Sequence, residues 1–242
     1  MSVSMSASLS LPDKYAHAVW RANQAGVYQT ATVASGHAAL DAELPQSGWP
    51  AAALIELLLQ QPGIGELRLL QPALQTIARR RPIALVQPPC LPQAAAWHGW
   101  GLPAEQLLWI RAQQTADALW STEQVLKNGS CGALLLWQQQ IRPEALRRLH
   151  LAAQGSDTLF WMMRPLAAAQ DASPSPLRLA LRPAPGGLLL DMDKRRGPHL
   201  DQPLFIALPQ AAAYPNQYWN HATVDRRVPA PVAAGSISAA MV

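Results

Sequence analysis

Residues 53–70 read ALIELLLQQPGIGELRLL, and the fold follows from this stretch. From Ala53 to Leu59 the run is apolar except for Glu56. A strand covered on both faces reads this way, whereas a half-solvated strand alternates. Gln60-Gln61-Pro62-Gly63-Ile64-Gly65 is turn chemistry. From Glu66 to Arg80, Leu67, Leu70, Leu74 and Ile77 recur at intervals of three and four, which is one face of a helix. Pro72 inside that pattern is expected to kink it. A strand, a glycine-bearing loop and a helix in this order form the arrangement that cradles phosphates in nucleotide-binding sheets.

Working outward, the same alternation repeats. Ile83–Val86, Leu107–Ile110, Ala133–Trp137 and Thr158–Met162 read as further buried strands. Between them, helices are expected over Pro92–Trp97, from an N-cap at Thr115 through Lys127 with Asn128-Gly129 as the stop, and from Pro143 to Gln154. Continuous apolar strands alternating with helices imply a mostly parallel sheet flanked by helices, an α/β fold. Leu177–Leu181 and Leu188–Asp193, joined by Pro183-Ala184-Pro185-Gly186-Gly187, read as a C-terminal antiparallel β-hairpin. Asp201–Leu208 is expected to add a short strand. Before the core, the turn-rich segment 32–50 carries His37, Asp41 and Glu43, read as turn and capping residues rather than metal ligands. The resulting organisation is a flexible segment with a short helix (Pro12–Tyr28) over 1–30, one domain over 31–208, and a flexible Ala/Pro/Ser-rich tail over 209–242.

The chemistry of a phosphate loop is missing from this scaffold. The working pattern is G-x-x-x-x-G-K-[ST]. Here Gln60 stands at the first glycine, Gly65 at the second, Glu66 at the lysine and Leu67 at the hydroxyl. A carboxylate at the lysine position repels a triphosphate, by several kcal/mol at about 4 Å and intermediate dielectric. Leu67 has no oxygen for magnesium. The strand expected to carry a metal-binding acid ends Leu136-Trp137-Gln138. These positions oppose an active ATPase, and no cofactor or metal is expected.

Composition narrows the class further. Of the 242 residues, 50% are hydrophobic and 14% charged, which fits a globular body. The opening MSVSMSASLS has no basic residue ahead of an apolar run, and no span of membrane length appears, so a cytoplasmic chain is expected. The net charge of +4 permits contact with nucleic acid without requiring it. Cys90 and Cys131 have no CxxC partner and read as buried thiols. Most of the nine tryptophans are expected in or against the core.

Ser35-Gly36, Leu40-Asp41, Leu44, Gly48, Pro50 and Ile55-Glu56 resemble the opening of the RecA recombinase core. LIELLLQQPGIGELRLL, IALVQPPCLP, GLPAEQLLWI and DTLFWMMRP resemble the same places in the ImuA family, over roughly Val19 to Leu208. This resemblance implies a RecA-like fold and a non-catalytic accessory role in SOS-induced translesion DNA synthesis. It implies as partners an ImuB-like inactive homologue of the Y-family polymerases, an error-prone DnaE-type polymerase, and RecA. The run from Ile83 to Pro165, with Met163-Arg164-Pro165, is also similar to SulA, a RecA-like division inhibitor that binds FtsZ. That alternative stays open.

Candidate contact residues complete the reading. Lys194, Arg195 and Arg196 form the densest basic run, either a solvated turn or a partner- or DNA-facing edge. Tyr214, Tyr218, Trp219, Arg226 and Arg227 are the aromatic and arginine anchors of a tail expected to order on a partner. The segment Pro165–Ser175 is nearly uncharged, which argues against autonomous DNA binding. Glu56, buried in a strand, is read as a structural acid that pairs with a neighbour.

Overall fold

The computed structural model describes residues 31–195, 200 and 202–208. The expected helix at Pro12–Tyr28, the tail with Tyr214, Tyr218, Trp219, Arg226 and Arg227, and Arg196 lie outside the described residues. In chain order the elements are β1 (Thr32–Val33), α1 (Ala38–Glu43), β2 (Trp49–Pro50), β3 (Leu54–Leu59), α2 (Glu66–Ala78), β4 (Ile83–Val86), α3 (Ala94–Gly99), β5 (Leu107–Ile110), α4 (Thr115–Asn128), β6 (Ala133–Trp137), α5 (Pro143–Gln154), β7 (Leu159–Pro165), β8 (Leu177–Ala184), β9 (Gly187–Lys194) and β10 (Leu204–Ala207). A short 3-10 helix, Leu166–Gln170, bridges β7 and β8.

Eight strands form one mixed sheet in the order β10-β9-β8-β3-β7-β6-β4-β5. From β8 to β5 all neighbours are parallel, and β9 and β10 are antiparallel. The protein is an α/β fold with a mostly parallel sheet flanked by helices and antiparallel strands near its C-terminal end. Alternation along each strand splits the core into two layers. Leu57, Leu85, Leu135, Trp161 and Leu179 point to the face shared with α1, α2 and α3. Leu54, Ala84, Leu134, Leu136, Phe160 and Met162 point to the face shared with α4 and α5. Both faces of the central strands are buried, which is why β3, β6 and β7 carry continuous apolar runs.

Several details depart from the sequence reading. α2 runs unbroken through Pro72. The Pro72 ring packs so closely on Gly36 that a Cβ at Gly36 would lie 2.3 Å from Pro72 Cβ. The hairpin loop shrinks to Pro185-Gly186, because Pro183 and Ala184 extend β8 and pair with Leu188 and Gly187. Proline fixes the first turn position, and Gly186 takes φ +76° at the second. Gln114, not Thr115, is the N-cap of α4. Cys131 is buried but Cys90 is exposed, because Cys90 falls in the loop after β4 rather than in the strand. Desolvation raises the Cys131 thiol pKa above its ordinary value.

Trp49, Trp97, Trp137 and Trp161 are core residues, while Trp109 and Trp120 are exposed. Strand β5, expected to be buried, is an edge strand with Leu108 and Trp109 each almost half exposed. Among the described residues, no helix is long and apolar enough to cross a membrane.

On the outer helices, Glu123 of α4 bonds Lys127 at 2.7 Å and Arg148 of α5 at 2.7 Å. The hydrogen bond from Lys127, reinforced by Arg148, holds its carboxyl pKa below the ordinary value despite the opposing effect of burial. A carboxylate with a lowered folded pKa adds stability above its unfolded pKa and loses it as pH falls through the folded value. Both cations are more than half exposed, so solvent screening keeps the effect small. Glu123→Gln is expected to cost under about 1 kcal/mol at neutral pH. The difference from wild type should close as pH drops below the usual glutamate range, as read by urea unfolding at a series of pH values.

Candidate functional site

The loops after β3, β4, β5, β6 and β7 leave the sheet at the carboxyl ends of parallel strands, where open α/β sheets place their ligands. Strand β3 is where the strand order reverses. The chain leaves it through α2 to reach β4, beyond β7 and β6, whereas β7 leads to β8 on the other side of β3. Residues 60–65 therefore occupy the place a phosphate loop would hold.

That loop is occupied by its own side chain. Gly63 N–H donates to both carboxylate oxygens of Glu66, at 2.8 and 3.1 Å, and Gly65 N–H donates to Glu66 Oε2 at 3.2 Å. Glu66 is the first residue of α2 and is 2% exposed. Its negative charge sits at the positive end of the helix dipole, against the N–H groups that would otherwise face a phosphate. Gly65, the N-cap of α2, has φ +124°, a backbone conformation suited to glycine. Leu208, following β10, closes over this glycine, and a Cβ on Gly65 would lie 3.0 Å from Leu208 Cδ1.

The other positions of the expected motif serve the fold. Gln60 N–H donates to Leu181 O at 3.4 Å, and Leu67 packs against the core. After β6, Gln138 N–H donates to Met163 O at 3.0 Å and its side-chain amide to Gln140 O at 2.7 Å. The sequence reading assigned Glu66 only a repulsive effect, so it missed the paired carboxylate. The available signal was the acid directly after Gly63-Ile64-Gly65, at the first position of a helix.

A second polar cluster lies on the α4/α5 face beneath the 3-10 helix Leu166–Gln170. Fully buried Glu56 accepts from Arg178 Nε at 3.1 Å, from Arg164 at 3.5 Å, and from the Ser173 hydroxyl. Arg164 also pairs with Asp171 at 2.8 Å, and Arg178 with Asp193 at 3.1 Å. Arg178 donates to Ala168 O at 2.6 Å. Glu56 is thus the acid of a buried network that pins the segment after β7. The Met163-Arg164-Pro165 stretch contributes its arginine to this network.

In the basic run at the end of β9, Lys194 is exposed and Arg195 is half-buried, and both bond back to the domain. Lys194 Nζ donates to Ser173 O at 3.0 Å. Arg195 bonds the Glu43 carbonyl at 2.8 Å and the Glu43 carboxylate at 2.6 Å, with about a tenth of its side chain exposed. It ties the end of β9 to the end of α1. Replacing Arg195 with alanine is expected to lower stability by about 1 kcal/mol, whereas Lys194→Ala should change it by less than about half that. Parallel urea titrations read both. Equal, negligible effects would place Arg195 back among the solvated residues.

The acids near the start of the domain serve separate purposes. Asp41 accepts from Ser35 N–H at 2.7 Å, His37 Nε2 lies 3.2 Å from Leu69 O, and Glu43 holds Arg195. Among the described residues, no group of three or more His, Cys, Asp or Glu side chains is placed to hold a metal ion.

No protein-family model matches the chain, and no curated protein matches it. Among solved structures, the chain is similar to SulA from Pseudomonas aeruginosa, at 27% identity and a TM-score of 0.40. The alignment covers 48% of this chain and 99% of that one.

Proposed function

We propose that this protein is a RecA-like accessory factor of SOS-induced translesion DNA synthesis that acts by protein contact and not by nucleotide turnover. The observation that carries the non-catalytic part is the Glu66 carboxylate bonded to the Gly63 and Gly65 N–H groups. An incoming phosphate would have to displace a buried anion that already satisfies those donors, and neither Leu67 nor Gln138 offers a carboxylate or hydroxyl to magnesium. The translesion part rests on the sequence resemblance to the ImuA family, carried above all by residues 62–70. Its partners on this reading are an ImuB-like polymerase homologue, an error-prone DnaE-type polymerase and RecA.

Two measurements on the purified full chain test the proposal. Equilibrium dialysis with ATP and magnesium should give no binding, and micromolar affinity would overturn the non-catalytic reading. Titration against a purified ImuB-like protein and, separately, against FtsZ should give binding to the first alone. Binding to FtsZ alone would replace the translesion reading with that of a division inhibitor.

A further inference from the structure

Loop 60–65 is held to the domain mainly from its far end. Gln60, Gln61, Pro62 and Gly63 are exposed, and a Cβ on Gly63 would meet nothing within 4 Å. Gln60 keeps one long bond, its N–H to Leu181 O at 3.4 Å. At the far end Ile64 packs against the core, and Gly65 is covered closely. A Cβ on Gly65 would lie 3.0 Å from Leu208 Cδ1 and 3.4 Å from Arg68 Nη2. The Glu66 bonds run from the loop to the first residue of α2. They brace the loop internally and do not tie it to the C-terminal strands. Leu208 does that.

Leu208 follows an edge strand. β10 has four residues and pairs with β9 alone among the described residues. Within it only Ile206 is buried, while Phe205 and Ala207 are exposed. Leu208 itself is 3% exposed, and its N–H donates to Gly186 O at 3.0 Å. Segments with few buried contacts open locally at a lower free energy than the core of a sheet. The end of β10 and the loop therefore form one opening unit. Lifting Leu208 uncovers Gly65 while the parallel strands stay closed. The chain also leaves the domain here. Tyr214 lies six residues beyond Leu208, a link that spans at most roughly 20 Å.

We propose that Leu208 is a latch that holds loop 60–65 closed, and that a protein partner engaged on the chain beyond residue 208 changes the opening of the loop through this side chain. The first half stands on the contact itself. The second half rests on the reading that the protein acts by contact with an ImuB-like partner.

Amide hydrogen exchange of the full chain tests both. Leu208→Ala should speed exchange at the Gly63 and Gly65 N–H groups about tenfold or more, because most of a buried leucine's contribution leaves one local equilibrium. Amides of β6 and β7 should change far less. Leu208→Met keeps the bulk and should behave as wild type. Leu74→Ala, in the buried face of α2, controls for general destabilisation and should not single out the loop. Loop rates that stay unchanged in Leu208→Ala, or rise only as much as those of β6 and β7, would overturn the latch. Exchange is then repeated with saturating ImuB-like protein. The loop rates should change in wild type and not in Leu208→Ala. A change that persists in Leu208→Ala would mean that the partner covers the loop directly, and a bound partner with no change would mean no transmission. Either result overturns the second half. Absence of binding would remove the partner reading and the second half with it, and the variants alone would still decide the latch.

Discussion

Glu56→Ala is expected to cost the fold about 3–5 kcal/mol, the range for removing one partner of a buried ion network. The reason is what remains behind. Arg164 and Arg178 have side chains only 3% and 6% exposed, and both bond Glu56 Oε2. Their other carboxylate partners, Asp171 and Asp193, are 59% and 35% exposed, so solvent weakens the compensation they offer. Arg164 Nε is already buried without a partner. For a domain of this size the loss corresponds to a fall in Tm of roughly 6–20 °C.

Glu56→Gln keeps a hydrogen-bond acceptor and removes the charge, so its cost should lie between wild type and alanine. Because Ser173, Arg164 and Arg178 together hold the segment after β7 to the sheet, limited proteolysis should cut within 166–176 faster in the alanine variant. Urea unfolding gives the energy. A loss under about 1 kcal/mol would mean that the two arginines reach water or other acids once Glu56 is gone.

Glu56 also shows how far the sequence can be read. A lone acid in an apolar strand signals a buried pair, because an unpaired one would be too costly. Its partners, however, lie 108 and 122 residues away. No local pattern names them, because they are set by strand order. The central strands were legible for a simple reason, since burial on both faces forces continuous apolar runs. The end of α4 was legible too. Gly129 takes φ +58°, and its N–H closes on Val125 and Leu126, as an Asn-Gly stop implies.

What escaped the reading depends on tertiary contact. β1 and β2 are two residues each, and Trp49 in β2 has its place against Trp161, edge-to-face with ring centroids 5.7 Å apart. Nothing within 32–50 marks that contact. The sequence reads Pro183 as part of the hairpin loop, and proline ordinarily interrupts a ladder. It is tolerated inside β8 because the pairing with β3 stops at Leu181, which leaves Pro183 bonded on one side only. The exposure of β5 was hidden as well, since an apolar run of four residues reads the same at an edge as at the centre.

Replacing Glu66 with alanine should remove about 1.5–3 kcal/mol of stability, the value of hydrogen bonds to a charged acceptor. The N–H groups of Gly63 and Gly65 would then point into the space the carboxylate has left, beside the N-terminus of α2. That is the geometry that attracts an anion. The variant should therefore respond to inorganic phosphate or sulfate where wild type does not. An anion that binds only the folded state raises stability by RT ln(1 + [L]/Kd), about 2.7 kcal/mol at a hundredfold excess over Kd. Thermal unfolding of both proteins over a phosphate series, with chloride added to hold ionic strength constant, separates this from general screening.

The expected pattern is a wild type indifferent to phosphate and a Glu66→Ala variant that recovers part of its lost stability. Glu66→Gln should fall between them, since the amide oxygen still accepts a hydrogen bond but carries no charge. If the alanine variant is as stable as wild type, the carboxylate is not the anchor of this loop. If wild type itself gains stability with phosphate, the loop exchanges its internal anion for an external one, and the protein must be treated as a phosphate binder. A variant that loses stability and is rescued by phosphate would mean that the chain retains the donor geometry of a phosphate loop, with Glu66 standing where the phosphate would be.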